Sequence, residues 1–278
     1  MIFNFRLFIK ECVIFAATLA VGILSAERLA VSAFTGTAFE TFAFSLWDII
    51  ALAVAILVFV LALKYRKIGS FLFQGILVFI ILGGAQVVAG VFLNAPWDFL
   101  AAVILLAAFL IVRNVLMHNA GVLLGIAGLG AAVGVGIHPQ TAIWLLVILS
   151  VYDILAVYKT KHMVRMAKAM LESGAIFGFI IPFEWKGFFY GKKEAQARAG
   201  EKFMILGSGD SVVPLFLAAS LVKISLGQAI LVGLFAIGGL FVTHLIFINQ
   251  KERKPMAALP PIATFAIIGY LLAAFLNL

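Results

Sequence analysis

The sequence predicts an all-α membrane protein: a single polytopic domain of nine transmembrane helices spanning residues 1–278, with the N-terminus cytoplasmic and the C-terminus outside. Three observations predict it. Hydrophobic residues make up 65% of the chain and charged residues 12%, about half the ~25% charge of an average soluble domain, so the main solvent is lipid. Apolar runs of about 20 residues, the length that crosses a hydrocarbon core, recur from end to end with short polar breaks. The Lys and Arg residues fall on alternate sides of those runs, eighteen on one side and two (Arg28 and Lys223) on the other. That split fixes the orientation by the positive-inside rule, and it supports the helix count, because one span too many or too few would scramble it.

The spans run over residues 7–26, 43–63, 70–93, 97–112, 115–136, 140–158, 203–223, 225–247 and 256–277. Each is read as a helix because lipid-exposed backbone must satisfy its own hydrogen bonds and the runs are twice the length of a barrel strand. The first carries Lys10 and Glu11 and lacks a small-residue cleavage site, so it reads as a retained span. The fifth is rich in glycine, with Gly121 and Gly125, then Gly130 and Gly134, at four-residue spacing, which predicts close helix packing. The long cytoplasmic loop covers 159–202. It opens with a basic stretch, Lys159 to Lys168, suited to a surface helix or a solvated charge run. Next comes an apolar, β-branched piece, Ala175 to Phe183, too short to span and readable as a strand or a re-entrant segment. From Lys186 to Lys202 the composition reads as mobile.

The basic balance is therefore topological. It argues for contact with the lipid bilayer and against nucleic acid. A lone cysteine, Cys12, excludes an internal disulfide and any multi-cysteine metal site. The histidines (His118, His138, His162, His244) are scattered, no HExxH is present, and they read as interfacial or packing residues; no metal and no cofactor are expected.

Of four Asp and eight Glu, most fall in loops or at span ends, including Glu27, Glu40, Asp98, Glu172, Glu184, Glu194, Glu201 and Glu252. Glu11 and Asp48 lie near span ends and read as snorkelling or interfacial. Asp153 and Asp210 remain. They sit about five residues from the end of span six and about seven from the start of span seven, depths of roughly 8 and 10 Å at 1.5 Å per residue. These antiparallel neighbours can therefore bring two acids face to face. Each alone costs about 2.5–3.5 kcal/mol in lipid, a cost usually tied to function. Two carboxylates a few ångströms apart hold one proton between them, supplying a base and an acid together. A proton or cation pathway in a secondary transporter would use the same pair, and both readings stand at this point.

The surroundings of the acids favour chemistry on a peptide. Asp210 ends Gly207-Ser208-Gly209-Asp210, where glycines remove side chains and weaken the helix. Pro214 has no N–H for the Asp210 carbonyl. At the start of span nine, Ala257-Ala258-Leu259-Pro260-Pro261 is pushed out of the α region twice, so an extended stretch with free carbonyls is expected before a helix start near Pro261. Ser208 as a nucleophile is disfavoured, with no histidine near it in sequence.

Together these elements resemble the presenilin and signal peptide peptidase family of GxGD intramembrane aspartyl proteases. Tyr152-Asp153 matches its YD pair, Gly207-Ser208-Gly209-Asp210 its GxGD motif, and Ala258-Leu259-Pro260 most of its PALP motif, with Ala257 in place of the first proline and Pro261 following. The resemblance covers the whole chain in span number and order. The orientation is the presenilin sense, and the short loops look like a compact microbial homologue. The resemblance implies that Asp153 and Asp210 are catalytic, supported by Tyr152, Gly207, Ser208 and Gly209. It implies that Ala258, Leu259 and Pro260 shape the substrate site, with Phe177 and Ile180 on a strand that pairs with the unwound substrate. The partners implied are transmembrane-helix substrates, in the cell membrane if the source is a prokaryote; the sequence leaves homo-oligomer formation open. A prepilin-peptidase type of GxGD enzyme ranks lower, since it expects fewer spans and a different placement of the first acid.

Overall fold

The computed structural model describes residues 5–34, 66–160, 162–197, 202–250 and 255–276. The expected second span, 43–63, lies outside them, as do Glu40, Asp48, Glu201 and Glu252. The described chain is an assembly of helices: α1 (Phe5–Phe34), α2 (Arg66–Ala89), α3 (Trp97–Ile111), α4 (Val115–Gly136), α5 (Pro139–Ile154), α6 (His162–Ser173), α7 (Lys192–Ala197), α8 (Ser208–Leu221), α9 (Leu226–Ile248) and α10 (Leu259–Phe275), with one hairpin of strands, β1 (Gly178–Pro182) and β2 (Phe203–Gly207). Five helical stretches are long and apolar enough to cross a membrane, and three shorter apolar helices, α3, α8 and α10, accompany them. This is an integral membrane protein.

Local sequence explains the helix starts. Asn114 caps α4 by accepting the Met117 N–H at 2.8 Å. Pro139 opens α5 at a position where a missing N–H costs nothing. The glycines of α4 do the packing the sequence predicts, on two faces. A Cβ on Gly121 or Gly125 would run into Phe109, Ile80 or Ile81, whereas one on Gly130 or Gly134 would run into Leu215, Val212 or Ala219. Gly84 of α2 and Gly125 and Gly128 of α4 touch backbone to backbone, the close approach small residues permit in lipid, where burial supplies no hydrophobic drive.

Helix α8 sits at the centre, packed against α1, α4, α5, α9 and α10, with Leu215, Leu217, Ala218, Ala219 and Leu221 fully buried. It is shorter than the expected span of 203–223. Residues 203–207 form β2, which pairs antiparallel with β1 in the register Gly178↔Gly207 to Pro182↔Phe203. A continuous apolar run cannot distinguish strand from helix, and Gly207 with Gly209 makes an extension of the helix unfavourable. Strand β1 is buried along its whole length, against the helices and β2. Two further expectations change. Helix α1 continues to Phe34 rather than ending near residue 26. The segment from Lys186 holds a 3₁₀ turn (Trp185–Phe189) and α7 rather than mobile chain, because Val115 N–H bonds Tyr190 C=O and Lys192 N–H bonds Arg113 C=O, stitching it to the α3–α4 corner. Burial and the neighbouring Arg113 charge bring the Lys192 ammonium there down to about 8.

Candidate active site

Asp153 lies at the end of the inward stripe of α5, whose buried residues are Pro139, Ala142, Leu146 and Asp153. Most of the rest of this helix faces outward. One residue later the α-helix gives way to a π-helical turn, Leu155–Lys159, a widening often found beside functional groups. Asp153 is 6% exposed. Its carboxylate accepts the Leu259 N–H at 3.3 Å. Pro260 and Pro261 follow at the start of α10 and bring no N–H of their own, so Asp153 serves as the cap acceptor that the N-cap residue Ala258 cannot supply.

Asp210 is the third residue of α8 and is partly exposed. It folds back on Gly207: a Cβ there would lie 3.0 Å from Asp210 Oδ2. Glycine here leaves room for that carboxylate, while its backbone angles, φ −61° and ψ 138°, are ones any residue adopts. Gly209 meets nothing within 4 Å of where a Cβ would stand, which leaves open space beside the acid. Helices α5, α8 and α10 pack on one another. Asp153 near the end of α5 and Asp210 in the first turn of α8 thus lie on helices that pack together.

Several expected site residues take other places. Tyr152 is 50% exposed, next to the buried Asp153. Ser208 ties α8 to the hairpin, its N–H and hydroxyl both directed at the Phe177 carbonyl at 3.4 and 3.3 Å. Helix α10 starts at Leu259 rather than near Pro261. The Ala258 carbonyl, expected to be free, lies 3.3 Å from the Thr243 hydroxyl, which also reaches Gly239 O at 3.0 Å within its own helix. Leu259 itself is buried.

The expected pairing of substrate with the β1 strand is corrected by its hydrogen bonds. Ile180 donates its N–H to Asn119 Oδ1 and accepts from Asn119 Nδ2, both at 2.8 Å. His118 Nε2 lies 3.1 Å from Gly178 O, and the Lys10 ammonium reaches Pro182 O and Phe183 O at 2.8 and 2.9 Å. The edge of β1 away from β2 is therefore filled, and the Ile180 side chain is buried. In an antiparallel pair, residues opposite each other without mutual bonds turn their backbone groups outward. Ile180 and Ile205 are such a pair, so Ile205 directs its N–H and C=O to the far edge of β2, where no described residue bonds them.

Sequence reasoning missed Lys10, Asn119 and Thr243 as parts of this region and placed Glu11 at the interface. Glu11 is buried and holds His244 Nδ1 at 2.9 Å from both oxygens, tying α1 to α9. Adjacent His118-Asn119 inside an apolar span was the available signal, since buried polar groups need partners. Among the described residues no group of three or more His, Cys, Asp or Glu is placed to hold a metal ion.

The family model described as signal-peptide peptidase, presenilin aspartyl protease matches residues 14–277. The chain belongs to this family. Two solved structures, both described as a presenilin family intramembrane aspartate protease, one in space group C222 and one in P2, share its presenilin-type fold. The first is 23% identical with a TM-score of 0.61, covering 96% of this chain and 97% of its own. The second is 24% identical with a TM-score of 0.60, covering 94% and 96%. No curated protein matches the chain.

Proposed function

We propose that this presenilin-family protein hydrolyses peptide bonds within the transmembrane helices of membrane-protein substrates, using Asp153 and Asp210 as a GxGD-type aspartyl dyad. The observation that supports the reading is the placement of these acids on packed helices, Asp153 capping α10 and Asp210 in the first turn of α8, in a chain of an aspartyl protease family. Water held between the acids attacks the carbonyl carbon of the scissile amide. One carboxylate takes a proton from that water while the other carboxylic acid gives one to the carbonyl oxygen, and collapse protonates the leaving nitrogen with the roles exchanged. No covalent intermediate and no metal enter. The substrate helix unwinds locally, and its extended backbone adds to the β2 edge at Ile205, which leads through Gly207 to Asp210. Gly209 leaves room for the approaching chain. We also retain nine spans with a cytoplasmic N-terminus, supported by the eighteen-to-two charge split. Nothing in the fold or the comparisons favours the transporter alternative.

The test is incubation of the purified protein in detergent with a labelled transmembrane peptide. Cleavage that is blocked by a transition-state-mimicking aspartyl protease inhibitor and absent in Asp210→Ala is expected. Cleavage by the Asp210→Ala protein, or ion flux in proteoliposomes lost in Asp153→Asn without any proteolysis by the parent, overturns the reading.

A further inference from the structure

Three polar side chains from two helices converge on one strand edge in the membrane domain, and none of them touches either acid. Asn119 takes both the N–H and the C=O of Ile180. His118, its neighbour on α4, meets the Gly178 carbonyl. Lys10 of α1 holds the Pro182 and Phe183 carbonyls, with its ammonium 5.0 Å from the centre of the Trp185 ring. These groups are spaced along β1 at alternate residues, 178, 180 and 182, which is the spacing at which a third strand would bond it. Asn119 and Lys10 are 5% and 2% exposed and His118 is 1% exposed. Burying such groups is costly unless they are paired, so the edge they fill is held firmly.

We propose that Asn119 is a positioning residue that sets where the substrate is cut: its carboxamide acts as a fixed third strand on β1, and through the β1–β2 ladder it fixes the level at which β2 presents a substrate strand to Asp153 and Asp210. Strand β2 reaches Asp210 through Gly207 alone before helix α8 begins. Its position is set by β1, and the junction is pinned again by Ser208 on Phe177. Strand β1 has one neighbour that is part of the helical core and matches both of its backbone groups at a single residue, and that neighbour is Asn119. Antiparallel pairing without such a stop slips in steps of two residues, because a two-residue shift keeps every side chain on its face. A sheet free to slip presents a different substrate bond to the dyad. The clamp also closes β1 to the substrate, leaving β2 as the edge where an added strand is accepted.

This inference rests on the proteolytic reading above and is tested by product identity rather than by rate. Parent, Asn119→Leu and Asn119→Asp proteins are incubated with one labelled transmembrane peptide, and all products are identified by mass. The Leu side chain removes both bonds to Ile180, and the Asp carboxylate keeps the acceptor and loses the donor. We expect the ratio of products cut at neighbouring bonds to the main product to rise about fivefold in Asn119→Asp, the change one lost hydrogen bond's preference produces, and to rise more in Asn119→Leu, which loses both. An unchanged product pattern, whatever the fall in rate or thermal stability, overturns the proposal. Should Asn119→Leu fail to fold, Asn119→Asp is read in the same way. Amide hydrogen exchange on the Asp210→Asn protein with uncleaved peptide gives an answer independent of any Asn119 variant. Ile180 is expected to be protected before and after peptide addition and Ile205 only after it. An Ile180 amide that exchanges freely until peptide binds overturns the clamp. A parent that cuts no peptide defeats the proteolytic reading instead, and the exchange result still decides whether the β1 edge is closed.

Discussion

Replacing Ile205 by proline tests the edge on which the substrate strand is proposed to add. Proline removes the N–H of Ile205, and because Ile205 and Ile180 face each other as a pair that does not exchange bonds, no rung of the β1–β2 ladder is lost. Proline is accepted on edge strands for this reason, so the variant is expected to fold. What it loses is one hydrogen bond to the substrate, worth about 0.5–1.5 kcal/mol, and kcat/KM should fall about 2- to 12-fold. Ile180→Pro provides the contrast. Its N–H is given to Asn119 in a buried setting, so the loss leaves Asn119 Oδ1 unpaired and costs about 1–3 kcal/mol of stability. The assay is peptide cleavage measured alongside thermal unfolding in the same detergent. Ile205→Pro cleaving at the parent rate refutes the β2 edge. Ile180→Pro with parent stability refutes the hydrogen-bond pattern on which the edge argument stands.

Breaking the buried Glu11–His244 pair by Glu11→Ala is expected to destabilise the protein by about 3–5 kcal/mol, the cost of stranding one partner of a buried pair. Glu11→Ala with His244→Ala together should cost less than the sum of the two single changes, read by thermal unfolding. Gly84→Ala places a Cβ against the Gly125 backbone and should destabilise by about 1–3 kcal/mol. Gly75→Ala on the same helix meets nothing within 4 Å and should be neutral or stabilising by up to about 1 kcal/mol. Lys192 is held at about 8 against 10.5 when free, so the unfolded chain binds more protons between those values and stability should rise with pH across that window. A Lys192→Met protein should lose that rise, as followed by unfolding temperature against pH.

Much of this architecture was legible because lipid imposes a simple grammar of length and charge: apolar runs of about 20 residues and a one-sided distribution of Lys and Arg identify a polytopic membrane protein. The two acids were legible for a related reason. A carboxylate inside an apolar span is costly, and Asp153 and Asp210 were the pair left after the span ends were discounted. Strand β2 was hidden because Phe203-Met204-Ile205-Leu206 is too short and too uniformly apolar to show a period, so it read as the start of the span that continues beyond Gly207-Ser208-Gly209-Asp210. The capping of α10 by Asp153 was hidden because prolines advertise a missing N–H and say nothing of where the one remaining amide points. The Asn119 clamp and the Glu11–His244 pair join residues 61 and 233 positions apart in sequence. A single polar residue in a span announces that it needs a partner without saying which.

The account depends most on Asp153 and Asp210 working as one unit. The direct measurement is single-turnover cleavage of a labelled transmembrane peptide by Asp153→Asn and by Asp210→Asn, each first shown to retain the parent unfolding temperature and peptide binding. Both are predicted to lose at least about a hundredfold in rate, the scale of a missing acid or base, and the double variant to lose little more than either alone. A single variant that cleaves at near the parental rate, or losses that multiply in the double variant, would contradict a shared dyad.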